Sequence, residues 1–161
     1  PRGKQTVRQY EPSSCFYPRT TGIWQTVWLE PVPESHLQRP RITPDVANSC
    51  LRIDQPVRFA QRGQSVRIRV RVGDEVVASA ECAAAADFTP HLDLAIPAHR
   101  RRLWSPQDPF LYTLDIELCD ATGAVIDSAH SYAGLRSVTL DGKAVKINGD
   151  VIFQRLVLDQ I

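Results

Sequence analysis

Residues able to carry chemistry are scattered along this sequence rather than gathered. Six glutamates (Glu11, Glu30, Glu34, Glu75, Glu81 and Glu117) could supply a general acid and a base. Their neighbours place them on loops or on outward strand faces, with no two in one motif. The histidines His36, His91, His99 and His130 share no ligand spacing, and Cys15, Cys50, Cys82 and Cys119 lie far apart with no C-x-x-C pair. A metal role is therefore not expected. The run His99-Arg100-Arg101-Arg102 could grip phosphate, but no aromatic platform is interleaved with it. At a net charge of +1 it reads as a solvated loop, and neither nucleic acid nor a membrane surface is expected as a partner. Trp24, Trp28 and Trp104 could stack on sugars, yet their strand and turn settings favour packing in a core or at a domain interface. Cys50 and Cys82 both fall in strand-like runs. An inter-sheet disulfide is one reading and buried free thiols the favoured other.

The elements that would position these residues are almost all strands. Short alternating segments near 36–43, 48–58, 64–72, 75–82, 91–96, 110–120 and 124–133 are punctuated by Gly63, Gly73-Asp74, Pro90, Pro97 and Ala121-Thr122-Gly123. Val66, Ile68, Val70 and Val72 alternate with Ser65, Arg67, Arg69 and Arg71, so one face is buried and the other charged. Phe110, Tyr112, Leu114, Ile116 and Leu118 form a second inward set, with Cys119 expected on the outer face. About seven antiparallel strands over roughly a hundred residues predict an all-β, immunoglobulin-like sandwich. Ile23–Glu30 alternates with apolar residues on both faces, as in a strand covered on both sides. Pro31-Val32-Pro33 stiffens the link that follows. Pro106 and Pro109 demand a turn over Leu103–Asp108. Asp141-Gly142 and Asn148-Gly149 are two-residue turn signals, so 136–140, 143–147 and 150–158 should form a meander. The one helix-compatible stretch, Ala83–Asp87, is too short to stand alone.

The order Trp104, Pro106, Pro109, Leu111-Tyr112, then Tyr132-Ala133-Gly134-Leu135-Arg136, then Ile147-Asn148-Gly149, resembles glycoside hydrolase family 2. Thr21–Glu30 is similar to that family's junction between a sugar-binding-type jelly roll and an immunoglobulin-like domain. The resemblance implies three parts: the end of the jelly roll with its linker over 1–33, the sandwich over 34–136, and a meander over 137–161 leading into a (β/α) barrel. It implies a parent enzyme that hydrolyses β-glycosidic bonds with retention through two barrel glutamates, without a cofactor. Neither of those glutamates matches a position in 1–161, so this stretch is expected to be inactive alone. Asp159 and Gln160 would stand at the C-terminal end of the first barrel strand, the end that carries active sites, as substrate-pocket residues of the parent. The family's usual residues there differ from Leu158-Asp159-Gln160. The implied partners are the jelly roll and barrel of the parent, carbohydrate through the parent, and a second copy through the terminal strand 150–158. A sequence with no methionine, even at position 1, reads as a piece of something longer, and no run is apolar enough to span a bilayer. The alternative is a free-standing immunoglobulin-like module that binds carbohydrate or mediates adhesion.

Overall fold

A computed structural model describes residue 17 and residues 22–23, 25–85 and 88–157. Inward alternation places the core. In β3 (Cys50–Asp54) Leu51 and Ile53 point inward, and in β7 (His91–Ala95) Leu92 and Leu94 do. Their register makes them direct cross-strand pairs, Leu51 with Leu94 and Ile53 with Leu92. Opposite them, Val66, Ile68 and Val70 of β5 (Ser65–Val72) pair with Leu118, Ile116 and Leu114 of β8 (Tyr112–Cys119). All ten are at most 3% exposed, so two sheets close on one apolar layer.

The first sheet has the order β2-β3-β7, with β2 at Arg41–Asp45 on its edge. That edge position is what lets Pro44 reside in a strand. The second sheet is β6-β5-β8-β9, flanked by β6 (Glu75–Ala83) and β9 (Val125–Ala133). All pairings within both sheets are antiparallel. The seven strands make the immunoglobulin-like, all-β sandwich that the alternation predicted. A small pair of β1 (His36–Leu37) and β4 (Val57–Arg58) stands beside them. The meander consists of β10 (Val138–Asp141), β11 (Ala144–Ile147) and β12 (Asp150–Val151). Val32–Ile152 forms one compact unit, and Pro1–Pro31 with Phe153–Ile161 forms another.

Several expectations are corrected. The segments 36–43 and 48–58 each split in two, because Pro40 and Pro56 lack the N–H that would continue a ladder. Ile23–Glu30 carries no strand among its described residues. Residues 152–157 carry none either, so the last strand ends at Val151. The first meander turn is Gly142-Lys143, one residue later than expected, with positive φ at Gly142 alone as a II′ turn requires. Cys119 is fully buried yet keeps the outer-face parity: it opposes Ser65, stands near Arg67 and Glu117, and is not part of the apolar core cluster. Ala84 and Ala85 are not helical, in keeping with the shortness of that stretch, and a 3-10 turn that the sequence did not signal forms at Ala98–Arg100.

Candidate functional site

Trp104 is the residue around which separate parts of the chain converge. Pro106 and Pro109 bend the chain into the turn before β8. There Ser105 N–H donates to the Asp108 carbonyl, and Asp108 N–H donates to Ser105 Oγ at 3.0 Å. Leu103 bridges to Leu135 in parallel, and Trp104 N–H donates to the Leu135 carbonyl at 3.0 Å. This brings the indole against Gly134 so closely that a Cβ there would lie 3.0 Å from Trp104 Cβ and 3.1 Å from Cγ and Cδ1. Gly134 is demanded by this close approach. The Arg136 guanidinium lies over the Trp104 ring, 4.4 Å from its centroid. From the second meander turn, Asn148 Nδ2 donates to the Trp104 carbonyl at 2.9 Å, while Asn148 Oδ1 accepts from Ser137 N–H at 3.0 Å. Asn148 tolerates its φ of 53° because asparagine visits the left-handed region readily.

Below this junction Tyr112 is fully buried and its hydroxyl is satisfied twice. It donates to the Arg100 carbonyl at 2.8 Å and accepts from Arg102 N–H at 2.8 Å. The basic run is thus held in the fold. Arg100 pairs with Glu75, and Arg102 grips both oxygens of Asp108 while lying 4.4 Å over Phe110. Arg102 holds the Asp108 carboxyl below the usual carboxylate range.

A shallow cleft of about 570 Å³ opens beside the junction, its walls including Ile42, Trp104, Leu111, Tyr132, Arg136 and Val138. Among the described residues that line it there is no carboxylate. The described glutamates stand elsewhere. Arg67 lies between Glu81, at 2.9 Å, and Glu117, at 3.6 Å, on the outward face of the four-stranded sheet. Ser65 and then Arg67 hydrogen-bond to Glu81 and lower its pKa. Glu75 pairs with Arg100, and Glu30 and Glu34 are exposed. A general acid needs a carboxyl raised by burial or by a like charge. Asp45, Asp108, Asp120 and Glu81 are all shifted the other way by hydrogen bonds and arginines.

Burial pushes the thiols of Cys50, Cys82 and Cys119 up, and all three are free. Among the described residues, no three of His, Cys, Asp and Glu are placed to hold a metal ion. Cys15, Glu11, Trp24, Asp159 and Gln160 lie outside the described residues. Trp28 is exposed in a segment without strand structure. The sequence reading named Trp104, Gly134, Arg136 and Asn148 separately. That one cluster unites them could be read only from the bridge between Leu103 and Leu135.

The sequence profile described as "Glycosyl hydrolases family 2" matches residues 35–136. A β-galactosidase large subunit from Latilactobacillus sakei is 27% identical over 145 residues, covering 89% of this chain and 22% of that protein. A β-glucuronidase from Paenibacillus borealis is 41% identical over 49 residues, covering 30% of this chain and 8% of that protein. Among solved structures, an FMN-binding β-glucuronidase from Facaelibacterium prausnitzii L2-6 superposes with a TM-score of 0.60 at 23% identity. The superposition covers 74% of this chain and 19% of that one, and at this identity it speaks for the fold alone. The chain therefore spans about a fifth of the length of the L. sakei relative. With the profile running through the sandwich from its small first strand to Arg136, the chain belongs to family 2 of the glycosyl hydrolases.

Proposed function

We propose that this chain is a non-catalytic, immunoglobulin-like brace within a family 2 glycoside hydrolase. In this reading residues 1–33 end a jelly roll, 34–136 are the brace, and 137–161 lead into a catalytic barrel. The parent hydrolyses β-glycosidic O-glycosyl bonds, with β-galactosides the first substrates to try, because several of the relatives bear that name. It does so with retention, by two glutamates that are not in 1–161, and Asp159 and Gln160 contribute to its sugar pocket.

The observation that carries the reading is how the described glutamates are used. Retention needs two carboxyls about 5–5.5 Å apart flanking one bond, one of them kept protonated. Here Glu81 and Glu117 are tied to arginines on an outward sheet face, and Glu81 is held ionised. What remains to a domain so built is to position others.

The test uses nitrophenyl β-galactoside, β-glucuronide and β-mannoside. Chain 1–161 should give blanks with all three, while the longer natural chain containing it should turn over at least one. Turnover by 1–161 that disappears when a glutamate within it is mutated would refute the proposal. A free-standing carbohydrate-binding module is the second reading, favoured only by the aromatic residues Trp104 and Tyr132 in the cleft wall. Arg136 already lies over the Trp104 ring where a sugar would stack. Calorimetric titration of 1–161 with galactose and glucuronic acid is therefore expected to show no heat of binding.

A further inference from the structure

Asn148 is held at its backbone and at both ends of its side chain. Its N–H donates to the Ser137 carbonyl at 3.0 Å, its Oδ1 accepts from Ser137 N–H, and its Nδ2 donates to the Trp104 carbonyl. Ser137 offers a donor there and Trp104 an acceptor, so only a group that accepts at one end and donates at the other fits between them. Asn148 is also followed by Gly149, in a two-residue turn with φ of 53° and 91° that joins β11 to β12 and sets Ile147 opposite Asp150. An asparagine before glycine is the one most open to attack by its own backbone, because glycine has no Cβ to shield the amide nitrogen. The other asparagine, Asn48, precedes Ser49, whose side chain crowds that approach.

We propose that Asn148 is a site of spontaneous deamidation that the closed junction protects, and that the modification, once made, keeps the junction from closing again. The Gly149 amide nitrogen attacks Asn148 Cγ. A new C–N bond forms as the Cγ–Nδ2 bond breaks, and ammonia departs with the proton that the Gly149 amide gives up. Water then opens the cyclic imide at either carbonyl and leaves an aspartate or an isoaspartate at this position. Asparagine and water become acid and ammonia, and neither oxidant nor reductant is needed. The junction gates the first step. To meet the Gly149 nitrogen the carboxamide must leave both Trp104 and Ser137. Ring closure also needs Cβ and that nitrogen eclipsed about the Cα–C bond, and a left-handed residue such as Asn148 keeps them apart. The reaction therefore draws on locally opened molecules. Its products do not fit back. A carboxylate has no proton to give the Trp104 carbonyl and sets a negative oxygen against it. Isoaspartate lengthens the backbone of a tight turn and so disturbs the pairing of Ile147 with Asp150.

The test ages chain 1–161 in warm, mildly alkaline buffer, folded and in guanidinium chloride, and maps its peptides by mass spectrometry. Deamidation should concentrate at Asn148 and spare Asn48. It should run roughly tenfold or more slower in the folded chain, because two hydrogen bonds must open first. Gly134→Ala, which crowds Trp104, should bring the folded rate toward the unfolded one, and Arg101→Ala should leave it unchanged. The aged acidic form, separated by ion exchange, should unfold at a lower urea midpoint than the fresh chain. Equal rates in the folded and unfolded chain overturn the proposal, as does an Asn148 that keeps its amide even when unfolded. An aged form with the midpoint of the fresh chain overturns it too, since the junction would then have closed around the acid.

Discussion

Gly134→Ala should destabilise the domain through Trp104, and the size of the effect can be worked from the junction. The added methyl would lie 3.0–3.1 Å from three carbons of the Trp104 side chain, a clash with backbone-anchored atoms and not with a flexible tip. Overpacking of this kind costs about 1–3 kcal/mol. Relief requires the indole to swing, but Trp104 is pinned at its N–H by Leu135 and at its carbonyl by Asn148. Swinging also gives up the Arg136 contact, worth ~0.5–1 kcal/mol at a half-exposed site. Against this, alanine restricts the unfolded chain and returns about 0.4–1 kcal/mol, since Gly134 does not occupy the left-handed region. A net loss of roughly 1–3 kcal/mol remains, and with a urea slope of about 1–3 kcal/mol/M the midpoint falls on the order of 1 M. The diagnostic measurement is the double mutant. In a Trp104→Ala background Cγ and Cδ1 are gone and only the Cβ contact at 3.0 Å remains, so adding Gly134→Ala should cost clearly less than it does in the wild type. Additive losses in the two substitutions would refute the reasoning, as would a Gly134→Ala midpoint at or above that of the wild type.

Trp104→Ala alone should cost about 2–4 kcal/mol, somewhat under the value for a fully buried tryptophan because this one is half-buried; Arg101→Ala should stay within ~0.5 kcal/mol, and equal urea midpoints would contradict the assignment. Tyr112→Phe leaves the Arg100 carbonyl and Arg102 N–H without their buried partner, so a loss of about 1–3 kcal/mol is expected in urea unfolding, and a neutral result would mean that water replaces the hydroxyl. His91, first through its hydrogen bond to Asp54 and further through Asp93, titrates above its ordinary value. Its contribution is therefore complete below the unfolded pKa of about 6.5 and is lost as pH rises through the higher folded one. His91→Gln should flatten the fall in urea midpoint as pH rises from about 6.5, and an unchanged slope would count against the clasp.

The sandwich was legible because its strands obey a period of two under strong burial. Val66, Ile68 and Val70 alternate with Arg67, Arg69 and Arg71, and the structure keeps that division. Failures came where one residue overrides the period. Pro40 and Pro56 interrupt ladders that hydrophobicity alone would continue. The described residues of 23–30 and of 152–157 look like strands by composition, but a strand also needs a neighbour, which composition does not display. The junction was half legible. Each of its residues drew notice through proline, glycine or turn chemistry, yet their meeting depends on Leu103 reaching Leu135 along a path with no local signature.

The three arginines of β5 have a consequence during synthesis. The hairpin of β5 and β6 is local and can form as soon as Ala83 has emerged, whereas β8, which pairs with the other edge of β5, is made later. At ~5–20 residues per second, that edge waits roughly two to seven seconds. An open strand rich in valine and isoleucine is a template for pairing with other nascent chains. Arg69 and Arg71 keep that outward face positively charged during the wait, Arg67 being paired with Glu81 of the hairpin itself, and the acids that later neutralise them, Glu117 and Asp115, arrive on the strand that closes the edge. The same residues thus act first as guards against aggregation and then as partners in the finished sheet.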